Sequence, residues 1–262
     1  MRKTIAIIQA RLGSTRLPRK VLIKLEGKTV LEHVVARVKA SRLVDHIMVA
    51  TTNSRKDNEI VKLCRLLGVQ VYTGSEDDVL DRFYQAAKLF KSRNVDIIRI
   101  TADCPLIDPE VISKVIELHL KERADYTTNT LSETFPDGED VEVFTFAALE
   151  KAWKFASLDS EREHVTPYIK NNSSKFKTVN LKCEADLSKK RWTLDEERDF
   201  EFIKTVYKDL YLKNKLFGME DILRYIKKYP EVENINKGII RNEGYLKSLE
   251  AERNLIAKRN AK

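Results

Sequence analysis

The 262-residue sequence has few cysteines and no long apolar run. Cys64, Cys104 and Cys183 are scattered and odd in number, which excludes a disulfide framework and does not match a zinc-ligand spacing. No stretch approaches the roughly 20 apolar residues of a membrane-spanning helix. The N-terminus enters a strand pattern at once, so we expect no signal peptide. These features predict a soluble, cytoplasmic protein.

The common catalytic and phosphate-binding motifs are also missing. His33, His46, His119 and His164 do not pair at a metal-ligand spacing, and nothing resembles a Ser-His-Asp or Cys-His arrangement. Neither a Gly-Lys-Ser/Thr phosphate loop nor a G-x-G-x-x-G fingerprint occurs. Any phosphate chemistry must therefore rest on a different arrangement of residues.

The chain is basic, with 48 Lys and Arg against 40 Asp and Glu and a formal net charge of +8. Such a balance suits nucleic acid, an anionic surface or a small anionic substrate. Much of the excess follows helix faces and the tail from residue 247 to 262, and no basic segment is interleaved with aromatics. We expect neither a nucleic-acid nor a membrane partner, and a basic nucleic-acid-binding protein remains the alternative from another class.

Strand and helix patterns alternate through the first half of the chain. Residues 5–8 are uninterruptedly apolar, as in a strand that is buried on both faces. Further strands are predicted at residues 46–51, 69–72 and 95–100, and helices around residues 31–38, 60–67 and 79–90. Gly68 is a plausible helix stop, and Asp108-Pro109 begins another helix as cap and first residue. This order predicts an α/β fold with a Rossmann-like, mostly parallel sheet wrapped by helices.

The rhythm changes after about residue 125. Short strands are predicted at residues 126–130, 141–145 and 176–181, around helices at 146–156 and 161–170. We interpret residues 126–190 as a small α+β excursion that forms an acceptor-binding wall or a dimer contact. A core strand is predicted at 191–194, and helices follow at 197–212 and 219–228. The chain is thus predicted to be a single domain, residues 1–236, with a charged helical tail, residues 237–262.

The loop that follows the first strand, residues 11–20, is the most informative segment. It carries Arg11, Arg16, Arg19 and Lys20, with Gly13, Ser14 and Thr15 between them. Backbone N–H groups and Ser/Thr hydroxyls can surround phosphate oxygens, and the cations offset their charge. We refer to residues 11–20 as the phosphate loop and predict that it binds a polyphosphate. Arg19, beside Pro18, can equally be surface charge.

Two carboxylates follow predicted strands. Asp103 comes after residues 95–100, and Asp195 comes after residues 191–194. A carboxylate at a strand end opposite a polyphosphate is a natural Mg²⁺ ligand, although Asp195 can also cap the helix that follows it. Ligands of such sheets sit outside the carboxyl ends of the strands. This rule places the phosphate loop, Thr51-Thr52, Gly74-Ser75 and residues 101–103 around one crevice.

These segments resemble a known family. Ile8-Gln9-Ala10-Arg11, Gly13-Ser14, Arg16-Leu17-Pro18 and Lys20 resemble the N-terminal signature of the cytidylyltransferases that make CMP-sugar acids, such as the 3-deoxy-manno-octulosonate and acylneuraminate cytidylyltransferases. Asp103-Cys104-Pro105-Leu106 is similar to their Asp-x-Pro-Leu metal segment, and Arg191–Asp195 with Asp199 to their late metal-binding segment. Residues 136–153 and 161–169 are most similar to the spore coat polysaccharide biosynthesis protein F branch. The resemblance covers residues 3–236.

The resemblance implies a fold of the nucleotide-diphospho-sugar transferase type, CTP as donor, Mg²⁺, a homodimer, and transfer of CMP with release of pyrophosphate in surface polysaccharide precursor synthesis. It implies catalytic roles for Arg11, Lys20 and Asp103, and metal binding by Asp103 and Asp195. The nucleotide would contact Gln9, Ala10, Arg11, Gly13, Ser14, Arg16, Lys20, Thr51, Thr52, Arg82 and Ala102. The acceptor would contact Asp140, Glu142, Arg162, His164 and Arg191.

The acceptor region departs from the octulosonate and neuraminate enzymes, because their sugar-acid signatures do not occur after residue 125. The implied acceptor is small and anionic. A nonulosonic acid, another sugar derivative, a phosphate or a phosphonate all remain open. A relative that uses another nucleoside triphosphate with a sugar phosphate is the second enzyme hypothesis.

Overall fold

The structure, a computed structural model, describes residues 2–260. Within this range the chain forms nine strands, β1 (Lys3–Gln9), β2 (Lys24–Leu25), β3 (Lys28–Thr29), β4 (His46–Thr52), β5 (Gln70–Gly74), β6 (Val95–Thr101), β7 (Tyr126–Thr128), β8 (Glu142–Thr145) and β9 (Thr178–Asn180). The helices are α1 (Val30–Ala40), α2 (Asn58–Leu66), α3 (Val79–Lys88), α4 (Pro109–Glu122), α5 (Phe146–Phe155), α6 (Asp159–His164), α7 (Pro167–Asn171), α8 (Glu197–Leu210), α9 (Met219–Lys228), α10 (Pro230–Glu233) and α11 (Glu243–Asn260). Short 3₁₀ helices lie at Lys20–Leu22 and Arg55–Asp57.

Seven strands form one sheet in the order β5-β4-β1-β6-β8-β7-β9. The first four are parallel, β8 runs antiparallel to both of its neighbours, and β9 is parallel to β7. The predicted α/β class and mostly parallel sheet are confirmed. Strands β7, β8 and β9, which belong to residues 126–190, extend this sheet instead of building a second one.

Strand β1 is apolar on both faces because helices cover both sides of the sheet. Its residues Ile5, Ala6, Ile7 and Ile8 are completely buried. Ala6 and Ile8 pack into a core with α1, α2 and α4, whereas Ile5 and Ile7 pack with α3 and α5. Side chains of a strand alternate between its faces, so an unbroken apolar run is what this position requires.

Two predicted helix boundaries are confirmed by local chemistry. The Asp108 side chain accepts the backbone N–H of Glu110, with Pro109 as the first residue of α4. After α2, Gly68 adopts a φ of 62°, a left-handed conformation that glycine reaches at little cost.

Two predicted elements are wrong. Residues 161–170 form two short helices instead of one, because the chain breaks at Val165, with a φ of 70°, and restarts at Pro167. Residues 191–194 form only an isolated bridge between Arg191 and Asp137. Their N–H groups bond to two loops instead of to a neighbouring strand, with Trp192 donating to Asp137 and Leu194 to Asp103.

A third core cluster fixes the segment that carries Asp195. Trp192 and Leu194 are buried against α8 and α9. The apolar contacts of Trp192 and Leu194 hold this segment in place without the hydrogen bonds of a sheet.

Among residues 2–260, no helix is both long enough and apolar enough to cross a bilayer.

Candidate active site

A cavity of about 540 Å³ opens at the carboxyl end of β6. Its walls include Arg16, Thr101, Asp103, Glu142, Lys170 and Asp195. This is the edge of the sheet where ligands of parallel α/β proteins bind. The cavity therefore joins the phosphate loop to residues of the middle segment.

Asp103 and Asp195 are brought together by backbone hydrogen bonds. The ladder between β1 and β6 continues one step beyond the strand, where Ala102 N–H donates to Gln9. Leu194 N–H then donates to the carbonyl of Asp103 over 2.8 Å. Two carboxylates that are 92 positions apart in the sequence thus face the same cavity.

Lys20 lies between these two carboxylates. Its Nζ donates to Asp103 Oδ2 over 2.6 Å and to Asp195 Oδ1 over 2.7 Å. Burial favours neutral lysine, but the two carboxylates outweigh it and raise the pKa of Lys20. Burial also opposes ionisation of Asp103, yet Lys20 holds the pKa of that carboxyl down at about 2. Lys20 and Asp103 are therefore both charged at neutral pH.

The donor set of this cluster fits a magnesium ion. Asp103 and Asp195 already hold one positive charge between them at hydrogen-bond distance. Within the described residues, no cluster of three or more His, Cys, Asp or Glu side chains is placed to hold a metal. Two carboxylates without further protein ligands suit Mg²⁺, which completes its shell with water and phosphate oxygens. A closed structural zinc site would need four protein ligands.

Asp195 is held in place by Asp199 and Arg191. Asp199 Oδ2 accepts the N–H groups of Asp195 and Glu196 over 3.0 and 3.1 Å. The buried Arg191 guanidinium donates to both oxygens of Asp199, to Asp137 and to Asp195. Arg191 thus lies beneath Asp195, surrounded by carboxylates.

We predict that Asp199→Ala lowers the free energy of unfolding by about 3–5 kcal/mol, because a buried arginine then loses its bidentate partner. Asp199 is fully buried, whereas Glu197 on the same helical turn is exposed. Urea unfolding of Asp199→Ala beside Glu197→Ala measures the difference. Equal stability of the two variants would contradict the structural importance assigned to Asp199.

The phosphate loop is fastened to β4 by Asp57. This buried carboxylate accepts Leu12 N–H over 2.9 Å and the hydroxyls of Thr51 and Thr52 over 3.2 and 2.5 Å. Asp57 was not among the predicted site residues, whereas the two threonines were predicted to contact the nucleotide. In the structure both threonines are buried behind the loop.

Arg16 connects the phosphate loop to α11. Its guanidinium donates to Glu243 over 2.8 Å and lies 3.1 Å from Asp195 Oδ2. Arg11, Gly13 and Arg16 are exposed, and Ser14 is half-buried. Arg11 and Arg16 thus face outward, as an anionic ligand requires, whereas Lys20 faces Asp103 and Asp195.

Arg82 is fully buried at the carboxyl end of β5. Its Nη1 donates to the Ser75 carbonyl, while Nε and Nη2 meet no hydrogen-bond partner within residues 2–260. Burial, and then the nearby Arg11, lower the pKa of Arg82 to about 10. Unpaired buried donors are costly, so this guanidinium is suited to a ligand that supplies acceptors.

Glu142 lies in the part of the cavity that the middle segment, residues 126–190, lines. Its carboxylate accepts Tyr126 Oη over 2.5 Å, Thr166 Oγ1 over 2.6 Å and an N–H of Arg99, and lies 3.0 Å from Lys170 Nζ. Burial would favour the neutral acid, but Lys170 and Arg99 hold the pKa of Glu142 well below its usual range. The carboxylate is thus fully occupied by protein donors.

The remaining residues predicted for the acceptor are divided between the cavity and its surroundings. Asp140 and His164 line it. Asp140 pairs with Arg241 over 2.7 Å. His164 Nε2 lies 3.1 Å from Ser248 Oγ of α11, and burial lowers its pKa to about 4, so it is neutral. Arg162 is not among the cavity residues and instead pairs with Asp78 of the α3 cap.

Comparison with known proteins decides the family. The sequence profile described as cytidylyltransferase matches residues 5–242 of the chain. The chain belongs to the cytidylyltransferase family.

This cytidylyltransferase is similar to several proteins over most of its length. An uncharacterized protein of Methanocaldococcus jannaschii is 45% identical over 239 residues, which are 90% of this chain and 96% of that protein. Spore coat polysaccharide biosynthesis protein SpsF of Bacillus subtilis is 34% identical over 213 residues, 79% of this chain and 87% of that protein. A cytidylyltransferase structure from Leptospira borgpetersenii superposes with a TM-score of 0.85 at 35% identity, covering 92% of this chain and all of that one.

Several cavity residues of this cytidylyltransferase were not predicted from its sequence. Arg99 carried a signal, since it is a charged residue inside an otherwise buried strand pattern. Lys170 and Tyr245 carried none, because their neighbours in space are distant in sequence. Asp57, which lies outside the cavity lining, was also not predicted, although its partners Thr51 and Thr52 are only six and five positions away. The predicted Gln9, Ala10 and Ala102 lie where β1 and β6 end, and the two alanines are buried.

Proposed function

We propose that the chain is a Mg²⁺-dependent cytidylyltransferase that transfers CMP from CTP to a small acidic acceptor and releases pyrophosphate. The observation that carries this proposal is the position of Lys20, which joins the phosphate loop to Asp103 and Asp195. A triphosphate placed there meets positive charge on one side and two carboxylates on the other. Such a carboxylate pair requires a metal ion before it can face phosphate.

The phosphate loop would bind the triphosphate through Arg11, Gly13, Ser14, Arg16 and Lys20. Attack by an acceptor oxygen on the α-phosphorus moves negative charge onto the leaving pyrophosphate. Lys20 and the loop arginines would stabilise that charge by contacting the phosphate oxygens. Asp103 and Asp195 would hold Mg²⁺, which when bound supplies Lewis-acid polarisation of the phosphate oxygens.

Arg82 is the residue we assign to the nucleoside. Its unpaired N–H groups are buried beside the strand end where the base of a nucleotide would be placed. A cytosine presents carbonyl and ring-nitrogen acceptors, which a guanidinium can satisfy. Thr51 and Thr52 support this side of the site through Asp57.

The middle segment, residues 126–190, would supply the acceptor wall and part of a homodimer contact. In this arrangement residues 1–236 would be one nucleotidyltransferase domain and residues 237–262 a charged tail, in which α11 is described to Asn260 and the last two residues lie outside the described range. The similarity to the spore coat protein of B. subtilis supports a place in surface polysaccharide precursor synthesis. We propose that this synthesis takes place in the cytoplasm.

A pyrophosphate-release screen tests this proposal. Each of CTP, UTP, ATP and GTP is combined with Mg²⁺ and with panels of sugar acids, sugar phosphates and phosphonates. We expect release only when CTP, Mg²⁺ and an acidic acceptor are present together. Release with another nucleotide, or CTP binding that ignores Mg²⁺, would contradict it. Tight nucleic-acid binding that falls steeply with salt would favour the alternative function instead.

A further inference from the structure

Two cations flank Glu142 in the part of the cavity that residues 126–190 line. We call this part the acceptor half of the cavity. Arg99 comes from β6 and Lys170 from α7, and both line the cavity. Together with the single carboxylate of Glu142 they leave one net positive charge. Their side chains are 16% and 30% exposed, so neither is closed off from the cavity.

Both cations retain donors that the protein does not use. An ammonium group has three N–H donors, and Lys170 directs them towards only two partners in the described chain, Glu142 at 3.0 Å and Thr130 at 3.4 Å. A guanidinium has five donors, and Arg99 uses Nη1 for Glu142 and Nη2 for Gln9 Oε1, which leaves a second N–H on each of these nitrogens, while its Nε is buried without a partner among residues 2–260. Free donors on charged groups are what an incoming anion needs.

We propose that Lys170, together with Arg99, binds the acidic group of the acceptor. This inference rests on the proposed function and assigns the end of the acceptor that does not react. Glu142 does not contact the acceptor in this arrangement, because its oxygens are occupied. It keeps the two cations side by side.

The other basic side chains near the acceptor half of the cavity are either paired with protein carboxylates or neutral. Arg241 is bound by Asp140, by Glu133 and by the Phe135 carbonyl. Arg191 is buried among three carboxylates. His164 lies in the cavity wall but is uncharged at neutral pH because burial lowers its pKa to about 4.

The position of Arg99 agrees with this role. It lies on β6 two residues before Thr101, and side chains at that spacing share one face of a strand. Its contact with Gln9 places it beside the start of the phosphate loop. An acidic group held by Arg99 and Lys170 therefore leaves the rest of the acceptor near Asp103, where the α-phosphorus would be.

The test measures binding of named acids to the complex with Mg²⁺ and a CTP analogue whose bond between the α- and β-phosphates cannot be cleaved, so that binding is measured without turnover. Glucuronate, 3-deoxy-manno-octulosonate and phosphonoacetate are the acidic probes, and glucose is the neutral match of glucuronate. Isothermal titration is run on the wild type, Lys170→Met and Lys170→Arg. Lys175→Met is the matched control, because Lys175 is an exposed lysine outside the cavity.

We expect at least one acid to bind the wild type at least about tenfold more tightly than glucose, as a charge-assisted hydrogen bond implies. Lys170→Met should lose that preference, Lys170→Arg should keep most of it, and Lys175→Met should not change it. Equal affinity of the wild type for the acids and glucose, or full acid binding by Lys170→Met, overturns the proposal.

The Kd of CTP with Mg²⁺ separates this inference from the proposed function. It should be the same in the wild type and in all three variants. If CTP does not bind the wild type, the proposed function fails, and the acid probes are then titrated on the free protein to decide the role of Lys170. A loss of CTP affinity in Lys170→Met equal to the loss of acid affinity would also refute the acceptor role.

Discussion

Replacing Lys20 by methionine is expected to lower turnover by about two orders of magnitude or more, as loss of a fixed transition-state charge usually does. Lys20 is the cation that reaches both Asp103 and Asp195. Methionine keeps the length and much of the volume of the side chain, so the fold should survive. Pyrophosphate release at saturating CTP and Mg²⁺ measures the loss.

Arg19→Met is the control for this variant. Arg19 belongs to the same loop but is exposed and pairs with Glu59 at the surface. It should keep nearly full turnover. Near-normal turnover of Lys20→Met, or an equal loss in both variants, would remove Lys20 from the mechanism.

A second prediction for Lys20→Met concerns its Tm. Without Lys20, the carboxylates of Asp103 and Asp195 face each other with no cation between them, and like charges at close range repel. Mg²⁺ should therefore raise the Tm of Lys20→Met more than that of the wild type. Identical Mg²⁺ effects on the two proteins would contradict the shared site.

The Asp103→Asn substitution is expected to abolish Mg²⁺-dependent activity. The amide keeps the size of the side chain but removes the charge that a hard divalent cation requires. CTP should still bind the phosphate loop weakly without metal. Activity titrated with Mg²⁺ measures the effect.

Asp186→Asn serves as the control, since this aspartate is exposed and accepts hydrogen bonds only from Ser188 within the described chain. Its Mg²⁺ titration should match that of the wild type. A normal Mg²⁺ dependence in Asp103→Asn would show that the ligand assignment is wrong.

Much of the fold could be predicted because local patterns carry it. Residues 5–8 have to be apolar on both faces in a sheet covered on both sides, and Asp108-Pro109 begins a helix by its own chemistry. The strand predicted at residues 191–194 is wrong although Trp192 and Leu194 are buried and alternate with polar residues, as in a half-buried strand. Their hydrogen bonds go to Asp103 and Asp137, which no local pattern reveals.

The candidate site, like the fold, could be predicted only in part. The phosphate loop and Asp103 follow from the rule that strand ends converge at one edge. Asp195 was predicted from a strand that residues 191–194 do not form, and the hydrogen bond from Leu194 N–H to Asp103 is what places it in the cavity. The environments of Glu142 and Arg191 do not follow from this rule, because each depends on side chains that are distant in sequence. Sequence patterns could therefore indicate charged residues at or beside the cavity, but not that Glu142 and Arg191 are occupied by protein partners.

The measurement that tests the account most directly is a crystal structure of the protein with CTP and Mg²⁺. We predict that the triphosphate lies between residues 11–20 and the Asp103–Asp195 pair, with the metal on both carboxylates and Lys20 Nζ moved onto phosphate oxygen. Phosphate density away from these residues, or a metal that contacts neither carboxylate, would contradict the central claim.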